Sequence, residues 1–451
     1  MSKRQIIGKL SATIMLLSAS TAMALPQEAD RAVEAEKAQD APDAHVAPHG
    51  VPGKQVLTVD EQIAQGDPLA PEEAKVPVWQ LADVEALLSY IDGVGAEGLA
   101  PADYDPEGLR AAMRSGDPAT ISAAATERFN LLSSDLALGH ARGEDRVDWH
   151  IVDKDLSKDR QAALLEWALY HGRLKETLDE LLPTHPQYAA LKTALVKADK
   201  KDKKAVGKIR LNLDRWRWLP RDLGDRYIIS NIPAYTAALI ENGQTISRHR
   251  AVAGAKKTPT PQLMAKAQGV IFNPWWEVPP SIAPEVAGKP GYVAVRRDDG
   301  SIQRWRQPPG PRNSLGRVKF VMYNPHLIYL HDTNARNLFN AEARARSHGC
   351  IRTENILKLA TTLLGMDGGE WDTQKTVDTL NSGETVQANF VNPVPVYIVY
   401  FSVAATTDGK LIQYDDIYDR DAPVIAALRD AGPVKGASQS AEAGKDGVPT
   451  A

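Results

Sequence analysis

The stretch Tyr227-Ile228-Ile229-Ser230-Asn231-Ile232, then Tyr235-Thr236-Ala237-Ala238-Leu239-Ile240-Glu241-Asn242-Gly243, then the return from Thr245 to Ala253, decides the fold class of the second half of this 451-residue chain. β-Branched and aromatic residues in short runs favour strands, and Asn-Gly between two such runs is a strong hairpin signal because both residues tolerate positive φ. Further strand-like runs follow at Gly269 to Phe272, Arg317 to Met322, His326 to His331, Val386 to Phe390, Val396 to Ala404 and Lys410 to Tyr414. Many short strands at close spacing predict a sandwich or barrel rather than a parallel sheet. One helix is predicted among them, Glu354 to Leu364, with Gly365 as its stop.

Toward the N-terminus the period lengthens. Leu81, Val84, Leu87, Leu88 and Ile91 repeat at helical spacing until Asp92-Gly93-Val94-Gly95, and similar runs lie around 119–139, 159–170 and 172–182. His185-Pro186 breaks the chain and Tyr188 to Val196 resumes it. Residues 79–200 therefore read as a small all-helical domain. Lys197, Lys200, Lys201, Lys203, Lys204 and Lys208 follow as a charge run with few apolar positions, which predicts a solvated linker or a basic patch for an anionic polymer. The predicted fold is multidomain α+β: the helical domain, then a mainly β, sandwich-like domain over 209–420. Trp216 and Trp218, two apart, are expected to share one face at its entrance.

Length and composition agree with two domains, because 43% hydrophobic residues over 451 positions exceed what one core usually organises. The net charge of −4 argues against a nucleic-acid partner, which selects for basic excess. Lys3, Arg4 and Lys9 precede the apolar run Ala12 to Leu17 and the Ala22-Met23-Ala24 site, so residues 1–24 read as a secretory signal peptide cleaved after about Ala24. If it stays uncleaved, the same segment tethers the protein to the membrane, but no later segment is long enough to span one, so an integral membrane protein is not expected. Residues 25–78, rich in Ala, Pro and acidic residues, and 431–451 read as disordered.

An exported protein usually pairs its cysteines, and this chain has one. Cys350 is either a buried, inert small hydrophobe or a free nucleophile. Its neighbours are Ser347-His348-Gly349-Cys350-Ile351-Arg352, with Tyr329-Leu330-His331-Asp332-Thr333 upstream. A thiol becomes nucleophilic beside an imidazole or a helix N-terminus, and both are expected here: His331 at a strand end, and the helix predicted from Glu354. Gly349 would let the turn aim N–H groups at a substrate carbonyl as an oxyanion hole. Neither CxxC nor HExxH spacing occurs, so no metal is expected.

His-x16-His-Gly-Cys from His331 to Cys350, preceded by Ser347, resembles the signature of the L,D-transpeptidase (YkuD-type) catalytic domain. Leu213 to Pro220, Asn273 to Pro280, Pro308 to Phe320 and Pro393 to Tyr397 are similar to the large, YcbB-type members, with a looser likeness at Glu97 to Tyr104. The resemblance implies Cys350 as nucleophile, His331 as general base and acid, the Asp332 carbonyl orienting the imidazole, and the Gly349 and Cys350 N–H groups holding the oxyanion. It places Ser347, His348 and Arg352 near the substrate, with Arg352 either on a substrate carboxylate or in a surface ion pair. Tyr329 shares the His331 face and is either a site residue or a packed tyrosine. It further implies a periplasmic enzyme without cofactor that joins peptidoglycan stem peptides, a tetrapeptide donor and a diamino-acid acceptor, into 3→3 cross-links through a cysteine thioester. The alternative is a cysteine peptidase or amidase of the same fold that admits water. Residues 279–316 lie where the family has a lid, and no peptidoglycan-binding module is evident between Val196 and Ile209.

Overall fold

The structure, a computed structural model, describes residues 77–152 and 155–428. The expected signal peptide, the tether up to residue 76 and the tail at 431–451 lie outside them. The first half holds seven helices among the described residues: α1 (Leu81–Gly93), α2 (Pro106–Ser115), α3 (Pro118–Leu138), α4 (Lys158–His171), α5 (Leu174–Asp179), α6 (Pro186–Lys197) and α7 (Lys203–Arg217). Local chemistry sets their ends. Asp117 caps α3 through Thr120 N at 2.9 Å, ahead of Pro118 at the first helical position. Val84, Leu87 and Ile91 of α1, Phe129, Leu132 and Leu136 of α3, and Leu164 and Leu165 of α4 form one buried cluster, as the helical period requires.

The lysine run is not the linker it was expected to be. Only 198–202 turn, and α7 begins at Lys203 with Asp202 capping Ala205 N at 3.0 Å. Val206, Ile209, Leu213 and Trp216 recur at helical spacing behind the lysines and pack into the second half of the chain. That spacing also corrects the shared face of Trp216 and Trp218. In a helix two positions are about 200° apart, so Trp216 stacks between His185 (4.2 Å) and Phe401 (4.4 Å), whereas Trp218 turns to Trp149 and to Asp214 Oδ2 at 3.0 Å.

Polar residues of α7 tie the two halves together. Arg217 bonds to Tyr188 Oη at 2.8 Å and to the Glu97 carbonyl, and faces Asp214 at 3.5 Å; all three side chains are nearly solvent-free. Asp214 also accepts from His140 N (2.6 Å) and Ala141 N (3.1 Å). Arg215 reaches Asp421 at 2.7 Å in the final helix.

The second half contains β1 (Arg226–Asn231), β2 (Thr236–Glu241), β3 (Gln244–Gly254), β4 (Leu263–Phe272), β5 (Trp276–Glu277), the short α8 (Ala283–Val286), β6 (Val293–Arg296), β7 (Ile302–Gln307), β8 (Val318–Met322), β9 (Leu330–His331), β10 (Ala345–Ser347), β11 (Ile351–Thr353), α9 (Ile356–Met366), α10 (Thr373–Ser382), β12 (Val386–Val399), β13 (Val403–Ala405), β14 (Leu411–Gln413) and α11 (Asp421–Ala427). The predicted hairpin is present: Asn242 (φ 47°) and Gly243 (φ 75°) turn between Glu241 and its partner Gln244. The main sheet runs β10-β3-β11-β9-β8-β4-β12-β1-β2, and β3 also pairs with β2, so it closes on itself. A helical region followed by a mainly β one is thus observed. Val386 to Val399 is one strand, not two, because a bulge between Asn389 and Val394 absorbs the irregularity before Val394 rejoins the ladder.

The closed sheet packs Ile228, Leu239, Val270, Phe320, Leu330 and Ile351 against α9. Residues 279–316, expected to lack periodicity, hold α8 and most of a separate three-stranded sheet, β5-β7-β6. Trp276, Val278, Val286 and Leu315 give that insertion its own small core, against which Tyr329 packs. No helix among the described residues is long and apolar enough to cross a membrane.

Candidate active site

β9 and β11 run parallel and adjacent, pairing Leu330 with Ile351 and His331 with Arg352, and Lys319 of β8 pairs with His331 from the other side. Alternation then puts Lys319, Tyr329, His331, Cys350 and Arg352 on one face. The contacts agree. The Tyr329 ring stands edge-on to His331 at 5.5 Å, and Lys319 Nζ lies 4.1 Å from the centre of the Tyr329 ring.

The turn that presents Cys350 is braced from within. Gly349 has φ 111°, a conformation that L side chains rarely adopt, and a Cβ there would come within 3.2 Å of Ile328 Cδ1. Ser347 is buried; its hydroxyl donates to the Cys350 carbonyl at 2.5 Å and accepts from Gly349 N at 3.2 Å. Thr260 Oγ1 donates to the Gly349 carbonyl at 2.7 Å. Ser347 thus places its hydroxyl on the turn, and the Gly349 N–H is engaged by that hydroxyl.

Cys350 is partly exposed, and its Sγ lies 3.5 Å from the Leu327 carbonyl. It does not sit at a helix N-terminus as expected. Ile351-Arg352-Thr353 first completes the sheet between β9 and β3, and α9 starts only at Ile356. Burial pushes the thiol up, while the nearby Tyr329 backbone and hydroxyl, Lys319 and Arg352 pull it back. His331 is deeply buried, and burial first, then Arg352 and Lys319, push its imidazole down to about 3. The couple therefore rests as a neutral thiol beside a neutral imidazole, and no hydrogen bond joins them among the described residues.

The Asp332 backbone lies close enough to favour the protonated imidazole, yet Nδ1 of His331 has no partner of normal hydrogen-bond geometry. The Asp332 carboxylate has other work. It accepts from Arg317 N (2.9 Å) and Arg336 (3.0 Å) and fills the space at Gly316, where a Cβ would lie 2.4 Å from its Cγ.

His348 is exposed, and its Nε2 lies 3.2 Å from Glu285 of α8. Arg352 makes no ion pair within 4 Å among the described residues, and its Nε is buried without a partner, so the surface ion pair is not formed. Trp275 and Trp276 divide as alternation requires: Trp276 is buried in the cluster against which Tyr329 packs, and Trp275 carries Arg306 over its ring at 4.1 Å. Sequence reasoning missed Lys319. Its signal is a lone cation among Val318, Phe320, Val321 and Met322 in an apolar strand. No cluster of three or more His, Cys, Asp or Glu side chains that could hold a metal occurs among the described residues.

Three histidines that are wholly or partly buried make stability fall with acid. His331 is held near 3 and His185 near 4 by burial, and burial also lowers His249. The unfolded chain, with histidines near 6.5, takes up protons first, so stability complete above that pH is lost as pH falls through the window toward 4. Each neutral histidine costs at most about 1.4 kcal/mol per pH unit there; His140, raised by its bond to Asp135, works in the opposite sense. Thermal midpoints are expected to drop steadily from pH 7 to 4.5, and a flat profile would contradict this.

Residues 225–398 match the family described as the L,D-transpeptidase catalytic domain (YkuD), and residues 72–195 match the family described as a Scaffold domain. A Haemophilus influenzae protein named as a putative L,D-transpeptidase is 30% identical over 253 residues, 50% of each chain. The chain thus spans about half the length of that curated relative. Similar solved structures include an Enterococcus faecium L,D-transpeptidase mutant, at 14% identity and TM-score 0.23 over 40% of this chain and 52% of that one. An L,D-transpeptidase from Mycobacterium smegmatis is similar at 12% identity and TM-score 0.21, over 39% and 58%. At these TM-scores neither bears on the assignment below.

Proposed function

From a chain that carries the catalytic domain of the L,D-transpeptidases behind a scaffold domain, we propose an exported acyltransferase that forms 3→3 cross-links between peptidoglycan stem peptides through a thioester on Cys350. The observation that carries this reading is the placement of Cys350 and a neutral His331 on one face of adjacent strands. A neutral imidazole can accept the thiol proton, whereas a protonated one could not.

His331 takes the Sγ proton as the sulfur attacks the carbonyl carbon of the third residue of a tetrapeptide stem. The hydrogen bond between them, not made in the free chain, forms as substrate settles, since catalytic contacts commonly tighten on binding. The Cys350 N–H stabilises the oxyanion, since the Gly349 N–H is engaged by Ser347. The C–N bond breaks, His331 returns the proton to the departing D-alanine nitrogen, and a C–S bond remains. The side-chain amine of a neighbouring stem's diamino acid then attacks the thioester, His331 accepts its proton, and the thiol is released with the new amide formed.

Water competes with that amine, and the insertion over 279–316 acts as a lid against it. Tyr329 packing against the cluster that holds Val286 and Leu315, and Glu285 meeting His348, support this role, because both join the insertion to the site. The test is mass analysis of products from mature enzyme and disaccharide-tetrapeptide. A dimer lacking one D-alanine is expected; tripeptide alone would replace the transferase with a hydrolase.

A further inference from the structure

Lys319 and Arg352 are two cations on the face that carries the thiol, and neither forms an ion pair or hydrogen bond among the described residues. Burial lowers both; Cys350 acts electrostatically on each, and Glu277, itself ion-paired with Arg304, acts on Lys319 without reaching ion-pair distance. Elsewhere in the fold, buried guanidinium groups are matched, as Arg215 is by Asp421 and Arg217 by Asp214. Half-buried cations left unmatched cost desolvation energy that an incoming anion would recover. Lys319 is also fixed in place: its strand pairs with His331 and its ammonium rests 4.1 Å from the Tyr329 ring centre.

We propose that Lys319, with Arg352, forms the subsite for the terminal carboxylate of the residue that leaves the donor peptide. Geometry favours this anion. Arg352, on β11, lies two residues beyond Cys350, at most about 7.2 Å between Cα atoms. In a stem ending one residue beyond the scissile carbonyl, three bonds separate the carbonyl carbon from the carboxylate carbon, about 4 Å at most. Carbonyl at sulfur and carboxylate at the cations are thus reached together. One further residue would move the carboxylate by up to about 3.6 Å, so the pair selects donors by length. Naming the carboxylate rests on the acyl-transfer reading above; the unmatched cation pair does not.

The test needs binding only. Full-length protein is alkylated at Cys350 with iodoacetamide in the presence of diacetyl-L-lysyl-D-alanine or of its C-terminal amide. The free acid is expected to protect at a concentration lower by roughly tenfold or more, the usual scale of a charged hydrogen bond. Lys319→Gln should collapse that acid-to-amide ratio toward one, and Lys319→Arg should retain it. Each ratio is taken within one variant, so changes in thiol reactivity cancel.

Equal protection by acid and amide, no protection by either, or a ratio unchanged in Lys319→Gln would overturn the subsite. Loss in the Arg variant as well as the Gln variant would also overturn it, because packing alone would then explain the effect. Acid-selective protection without dimer formation from disaccharide-tetrapeptide would sink the transpeptidase reading and leave the subsite; dimer formation without acid selectivity would do the reverse.

Discussion

Replacing Cys350 with alanine is expected to lower dimer formation by a factor on the order of 10³ or more, while the thermal midpoint moves by no more than a few degrees. No second thiol exists in the chain to accept the acyl group. The mutation removes one sulfur from a partly exposed residue whose hydrogen bond, to the Leu327 carbonyl, is long at 3.5 Å. The turn itself is held by Ser347 and Thr260 through backbone atoms, which alanine keeps. A structural cysteine would behave oppositely, losing stability and sparing activity. Cross-linking within tenfold of wild type would remove Cys350 from the mechanism. A carbapenem should leave a mass adduct on the wild-type chain and none on the alanine variant.

Arg217→Ala is expected to cost about 3–5 kcal/mol, the usual scale for breaking a buried pair from one side. Asp214 has no exposed surface and keeps its bonds from His140 N, Ala141 N and Trp218 Nε1, but loses its compensating charge. Tyr188 Oη and the Glu97 carbonyl lose a donor in the same step. Because Glu97 and Tyr188 belong to the helical half while α7 packs on the β half, the urea midpoint should fall markedly. A loss under about 1 kcal/mol would show that this network does not hold the halves together.

Legibility followed the range of the forces involved. The hairpin at Asn242-Gly243, the helices before residue 197 other than Pro106–Ser115, and the strands near 227–253 could be read because their signals are local: positive φ, capping and period. α7 was missed because its lysines hid an apolar stripe of Val206, Ile209, Leu213 and Trp216 that only a helical period reveals. The helix after Cys350 was placed too early because Ile351-Arg352-Thr353 becomes a strand only by pairing with β9 and β3, partners far away in sequence. Lys319 looked like one charge in an apolar run until its strand met His331.

By itself the sequence determined the two-part architecture, the candidate pair His331 and Cys350, and the need for glycine at 349, since these depend on residue type and short spacing. Only the tertiary structure decided which groups face the thiol and in what charge state. Burial keeps His331 neutral and raises Cys350, and closure of the sheet brings Lys319 and Arg352 beside them unmatched. The reason is physical: pKa and charge pairing depend on desolvation and on neighbours across strands, and neither is defined until strands distant in sequence lie side by side.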